Sequence, residues 1–162
     1  MEFTRRGTKL IENLHALRHA KANGGALAPI EIFVRKLRHK ILSMMTASDI
    51  DIDADIAKDV RLPHPNGVVI HGRAVVGEGS VIMQQVTLGT IREGLAPRLG
   101  ARVYVGAGAK ILGGVAIGDE AKIGANAVVV KDVPAGATAT GIPAMVTLKG
   151  DEREKPRLES LG

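Results

Sequence analysis

The side chain best placed by its neighbours to move a proton is His64. It lies in Leu62-Pro63-His64-Pro65-Asn66-Gly67. Prolines on both sides fix φ and stiffen the backbone, and Asn-Gly is a turn-forming pair. An outward imidazole on a rigid turn suits general-base work, because its pKa lies near working pH. A carboxylate at its second nitrogen would orient the ring. Asp49 and Asp51 are the candidates, since fifteen residues separate Asp49 from His64. That is near one coil of the architecture described next, so either could lie one layer below. A surface histidine with no role fits the same residues. Metal chemistry is not expected: a catalytic zinc centre of this kind needs three histidines, and His64 and His71 are the two available here, on different faces. Asp51, Asp53, Asp55 and Asp59 alternate, but the Gly and closing Glu of a calcium loop are missing. They read as solvated edge residues.

These residues must be positioned by a repeat of six. Leu99, Val105, Ile111, Ile117, Ile123 and Val129 recur at that interval, with Val103, Ala109, Val115, Ala121, Ala127 and Val133 four places after each. Six is neither the helix period nor plain strand alternation. It is the hexapeptide form of a parallel β-helix: one short strand and a turn per unit, three units to a triangular coil, and coils stacked at strand spacing. Ile50, Ile56 and Leu62 begin the pattern, and Ile70, Val76, Ile82 and Leu88 resume it after a two-residue slip at Asn66-Gly67. Eleven residues then separate Leu88 from Leu99 where six are expected. The extra five form a loop around Thr90 to Pro97 that leaves the prism, and insertions on a solenoid are where sites are built.

Composition agrees. Aromatic residues make up 2% of the 162-residue chain while it holds 20 glycines, as a narrow aliphatic prism with frequent turns requires. There is no Cys, which removes disulfides and thiolate chemistry. No apolar run reaches the roughly 20 residues that cross a bilayer, and charges at Arg5, Arg6, Lys9 and Glu12 interrupt any signal-peptide pattern, so a cytoplasmic location is expected. Nothing in the pattern indicates a nucleic-acid partner. Three segments are expected: helices over 1–47, the β-helix over 48–147 and a polar tail over 148–162. The net charge of +5 is concentrated in the first, where nine Lys/Arg stand against three Asp/Glu.

Two helices are expected in that first segment. Leu10, Ile11, Leu14 and Leu17 share one face of a helix over 4–22, which Asn23-Gly24-Gly25 stops. Pro29 suits the first turn of a second helix. Its apolar stripe is Ile30, Phe33, Val34, Leu37, Ile41, Leu42 and Met45, with Arg35, Lys36, Arg38, His39 and Lys40 elsewhere. One reading is a helical hairpin packed on the β-helix or a neighbouring subunit. The other is a basic amphipathic helix, residues 28–46, making peripheral contact with anionic lipid.

LPHPNGVVI around His64, VTLG at 86–89, VGAGAKILGGVAIGDEAKIGANAVV at 105–129 and GIPA at 141–144 together resemble the serine acetyltransferase branch of the left-handed β-helix acyltransferases. The resemblance covers about residues 49–147. It implies a left-handed parallel β-helix, mainly β, with a short N-terminal helical hairpin. It also implies transfer of acetyl from acetyl-CoA to a hydroxyl, in a homotrimer with sites between neighbouring prisms. His64 matches the family's catalytic histidine. Asp49 falls on its histidine-orienting aspartate without gaps, and Asp51 does so under a shifted alignment. Gly89, Ala107 and Ala125 match positions along which the pantetheine arm runs, where small side chains let backbone amides reach it. Lys110, Lys131 and the segment near Gly141 would approach the CoA phosphates.

The departures concern the acceptor. The family carries an aspartate before the catalytic histidine, where this chain has Pro63. It also carries an Arg-His pair before the loop proline, where this chain has Leu95 and Ala96. Arg92, Arg98 or Arg102 could compensate. The terminal isoleucine that docks into the sulfhydrylase partner is replaced by Leu161-Gly162, so a cysteine synthase complex is not expected. The acceptor is therefore L-serine or a sugar hydroxyl, the second pointing to a surface-glycan pathway. A sugar N-acetyltransferase and a non-catalytic β-helix used for assembly are the other readings.

Overall fold

The computed structural model describes residues 2–22, 25, 27–91 and 94–148, with helix side chains from residue 6 onward. Two helices come first, α1 (Glu2–Ala22) and α2 (Ala28–Thr46). Fourteen short strands follow. The first six are β1 (Asp49–Ile50), β2 (Asp55–Ile56), β3 (Val69–Ile70), β4 (Val75–Val76), β5 (Val81–Ile82) and β6 (Thr87–Gly89). After the inserted loop come β7 (Arg98–Leu99), β8 (Tyr104–Val105), β9 (Lys110–Leu112), β10 (Ala116–Ile117), β11 (Lys122–Ile123) and β12 (Val128–Val129). The last two are β13 (Thr138–Thr140) and β14 (Met145–Thr147).

The strands form three flat faces in the orders β1-β3-β6-β9-β12, β2-β4-β7-β10 and β5-β8-β11-β13-β14. All pairings are parallel except β13 with β14. From β3 to β12 successive strands therefore visit successive faces and three of them complete a coil, while the third side of the first coil and the second side of the last hold only the isolated bridges Arg61 to Val81 and Ile117 to Val133. In each two-residue strand the first residue points out and the second is buried. The buried set is the predicted one, with Ile82, Leu88, Val105, Ile111 and Ile123 fully enclosed and Leu99 the most accessible of the column at 3%.

The register shows where the repeat departs from regularity. Asp49 pairs with Val69, a step of 20 residues, which is the slip at Asn66-Gly67. Val75 pairs with Arg98, a step of 23, which is the inserted loop. Arg98 to Ala116 and Lys110 to Val128 are regular steps of 18. The final coil departs from the regular repeat after Val133. It tightens to a step of 16 between Lys122 and Thr138, and β14 then turns back antiparallel along β13. The Val128 N–H donates to Gly141 O and Ala144 N–H donates to Val128 O, so residues 141–144 pair along the outer edge of β12.

The opposite end of the prism is closed by the helices. Leu10, Ile11, Leu14 and Leu17 of α1 are at most 2% exposed, and burying four such side chains is worth roughly 1.5–3 kcal/mol each. Gly7 lets the helix touch the coil: a Cβ there would lie 2.8 Å from Leu62 Cβ and closer still to Leu62 O. Carbonyls on this open edge have no strand to pair with. Arg18 donates to Asp53 O and Ala54 O and pairs with Asp55, while His39 Nε2 donates to Ile50 O at 2.7 Å. Lys21 pairs with Asp53 at 3.0 Å. Asp51 and Asp59 accept backbone N–H groups from Asp53 and Gly79. The acidic row is therefore a set of turn caps and helix anchors.

α2 packs on the first coil and on α1 along one side only. Its buried side is His39 and Thr46, Leu42 packs on the core, and Asn13 of α1 donates to Arg35 O. The rest of the stripe faces outward. The reason is that α1 already occupies the end of the prism, leaving α2 to lie over α1 and the first coil. Replacing Gly7 by Ala should lower unfolding stability by roughly 1–3 kcal/mol, the usual cost of forcing a methyl into a filled contact. Thermal denaturation of Gly7→Ala measures this, and an unchanged melting temperature would show that α1 does not bear on Leu62.

Candidate functional site

His64 stands on the corner made by the two-residue slip. Its side chain is exposed, and among the described residues it has no hydrogen-bond or ion-pair partner. The backbone beneath it is tightly held. Pro65 is buried and its carbonyl accepts from Ser48 Oγ. Asn66 N–H donates to His64 O at 2.7 Å, and Asn66 O accepts from Gln85 N–H at 2.8 Å. Gly67, at φ 62°, makes the turn that a β-branched residue could not, and its N–H donates to Ala47 O at 3.1 Å. Met45, Thr46, Pro65 and Asn66 line a notch of about 20 Å³ beside it. The corner is thus docked on the C-terminus of α2. There Ala47, in the left-handed region at φ 48°, ends the helix while its N–H donates to Met44 O and that of Ser48 to Ser43 O.

The register revises the placement of the two aspartates. The step across the slip is 20 residues rather than 18, so Asp49 lies opposite Val69 and not under His64. No hydrogen bond joins the ring to either aspartate within one chain. The two differ in availability. Asp51 Oδ1 accepts the Asp53 N–H at 2.9 Å, and its carboxylate packs on Gly72. The Asp49 side chain is exposed and without a partner among the described residues.

The positions matched to pantetheine fall in two groups. Ala107 and Ala125 occupy one corner in adjacent layers, linked by Asn126 N–H donating to Ala107 O. Gln84 continues that column one layer further, since its carbonyl accepts from Gly108 N–H, and its side-chain Oε1 is buried and unpartnered. Gly89 is not in the column, because the 23-residue step sets it opposite Leu112 on the adjoining face. A Cβ at Gly89 would meet only side-chain carbons at 3.4 Å and beyond. Lys110 is turned to the corner and donates to Gln85 O and Gly108 O. Lys131 is exposed and has no partner among the described residues. Gly141 bends at φ 95° over β12.

The inserted loop leaves the coil as expected, and its described residues rest on the neighbouring layer. Ile91 and Leu95 cover Gly113 and Gly114, and Ala96 is 7% exposed. Arg73 Nη1 donates to Gly94 O at 3.0 Å, a tether that sequence reasoning missed. The insertion register would have revealed it, because the 23-residue step sets position 73 beneath Ala96. Of the three arginines considered as replacements, Arg102 is paired with Glu120 at 2.9 Å; the hydrogen bond and charge of Glu120 push its pKa further up. Arg98 is exposed on β7. Arg92 lies outside the described residues. A separate groove of about 310 Å³, lined by Arg102, Glu120, Lys122 and Thr138 among others, lies on the β5-β8-β11-β13 face. Among the described residues no three His, Asp or Glu side chains gather as a ligand set.

The family model for the bacterial transferase hexapeptide, six repeats, matches residues 96–131. A prism of such repeats with a left-handed coil is the acyltransferase β-helix. A serine acetyltransferase of Helicobacter pylori is 39% identical over 120 residues, covering 72% of this chain and 70% of that protein. A solved serine acetyltransferase of Neisseria gonorrhoeae superposes with a TM-score of 0.77 at 31% identity, covering 89% of this chain and 55% of that one. A serine acetyltransferase solved in complex with CoA gives a TM-score of 0.73 at 31% identity, covering 88% and 57%. The chain therefore belongs to the serine acetyltransferase family. It spans little more than half the length of these solved chains.

The Ser48 bond has a direct test. Ser48→Ala leaves the Pro65 carbonyl buried without its donor, which should cost roughly 1–3 kcal/mol of stability. Because that bond fixes the corner under His64, kcat should fall while acetyl-CoA affinity measured by calorimetry is retained. Unaltered kcat in a destabilised variant would separate the corner from the chemistry.

Proposed function

We propose that this chain transfers the acetyl group of acetyl-CoA to a hydroxyl, in the manner of a serine O-acetyltransferase, with His64 as general base. The observation that carries this reading is the exposed, unpartnered His64 ring on a corner whose backbone is pinned from both sides. His64 takes the acceptor's hydroxyl proton as the oxygen attacks the thioester carbonyl. The tetrahedral intermediate collapses, the carbon–sulfur bond breaks, and the proton passes to the CoA thiolate. Backbone N–H groups stabilise the oxyanion. Asp49 is the carboxylate assigned to orient the imidazole, because it is free of the turn bonding that occupies Asp51, although no hydrogen bond joins it to His64 within one chain. Pantetheine runs past Ala107 and Ala125 and reaches Gly89 on the adjoining face. Lys131 and the segment at Gly141 face the phosphates, with Lys110 contributing as far as its carbonyl bonds allow. The working unit is a homotrimer with its sites between prisms.

L-serine is the acceptor that the family supports. A sugar hydroxyl is the second reading. It is favoured by Pro63 beside the base and by the apolar Leu95 and Ala96 in the loop, with Leu95 lying over Gly114. None of these three side chains can pair with an amino acid's carboxylate or ammonium.

Thiol release from acetyl-CoA, followed with L-serine and with a panel of sugars and nucleotide-sugars, tests both readings. His64→Ala should lower kcat by about 10²–10⁴, the range for loss of a general base, with acetyl-CoA binding little changed. Asp49→Asn should lower kcat more than Asp51→Asn. A fully active His64→Ala chain would refute the assignment, and absence of turnover with every hydroxyl would favour a non-catalytic β-helix.

A further inference from the structure

The outer side of α2 is covered by nothing among the described residues. Ile30, Phe33, Val34, Leu37, Ile41 and Met44 recur at helical spacing and are 50–74% exposed. Helix geometry sets them on one stripe about a third of the circumference wide. Lys36 and Lys40 border it on one side and Arg38 on the other, all exposed and without an acidic partner among the described residues. The one acid of α2, Glu31, is held by Arg35 at 2.7 Å. The helix cannot rotate to hide the stripe, because its opposite side is committed through His39 to Ile50 O and through Arg35 O to Asn13.

Three occupants could cover such a face. Residues 149–162 hold two leucines among mostly charged neighbours, too few for six apolar side chains. A second copy packed stripe to stripe would set Lys36, Arg38 and Lys40 against their own kind, with no free carboxylate on α2 to answer them, and a copy presenting its prism to the stripe is told apart by the light-scattering mass of stripe variants. An anionic lipid surface answers both properties at once, since it accepts apolar side chains at the acyl boundary and cations at the headgroups. We propose that residues 28–46 form an interfacial helix that docks the protein on an anionic membrane surface. Phe33 and Leu37 belong to the inserted stripe, and Lys36, Arg38 and Lys40 meet the lipid phosphates. The inference stands on α2 alone and is independent of the role of His64.

Flotation of the full chain with phosphatidylcholine vesicles, with and without phosphatidylglycerol, tests it. The protein should float with the anionic vesicles, stay behind with the neutral ones and be released by high salt. Lys36→Gln and Lys40→Gln should each weaken binding roughly fivefold. Phe33→Ser with Leu37→Ser should abolish flotation while circular dichroism and the light-scattering mass stay unchanged. If that double variant unfolds, the two lysine variants decide the matter. Flotation with neither vesicle, equal flotation with both, lysine variants that bind like the parent, or a drop in mass of the folded Phe33→Ser, Leu37→Ser protein would overturn the proposal. The last result would make the stripe a subunit interface.

Discussion

A strand of two residues has no stability of its own. Each one here exists because another lies directly beside it in the next layer, donating and accepting along the prism axis, while its single inward side chain sits on the side chain below. The architecture is therefore a column of aliphatic contacts with a backbone ladder on each of three faces. Everything else must respect that column. Extra residues can enter only at corners, and they do so twice, at Asn66-Gly67 and between Leu88 and Leu99. Both insertions leave the inward residues of the next layer in register, since Ile50 still meets Ile70 and Val76 still meets Leu99. Chemistry follows the same rule. The candidate base stands on the first corner, and the inserted loop springs from the second.

The column was readable from the chain because it rests on one residue type at one spacing. Aliphatic side chains six apart have few other uses, and an interrupted period reports its own insertions. What single side chains do across layers was not readable. Arg18 and His39 look like members of a basic face, yet both are spent on carbonyls of the lowest coil. Lys110 has the charge for a phosphate but is held by two backbone oxygens. The outward turn of α2 depends on α1 having taken the end of the prism, which no periodicity encodes.

The site was legible in part. His64 drew notice through the prolines that frame it, and the structure agrees that its backbone is fixed and its ring exposed. The aspartates were harder, because their relation to His64 depends on a coil length that the slip itself alters. The longer step sets Asp49 opposite Val69, beyond the corner that carries the histidine. The distinction between Asp49 and Asp51 emerged only from the turn bond that occupies one and leaves the other. Arg73 illustrates the converse, since its tether to the loop follows from the insertion register once the prism is taken seriously as a coordinate system.

The two ends of the prism are finished differently. At one, helices lay side chains over the open carbonyls; at the other, a reversed strand and the 141–144 turn run back along the last coil. Open coil ends are unpaired ladders, and ladders of identical geometry can stack on one another without limit. The terminal elements thus act as length stops. They hold a repeating, self-templating architecture to a defined number of storeys and keep one molecule from continuing into the next as a fibre.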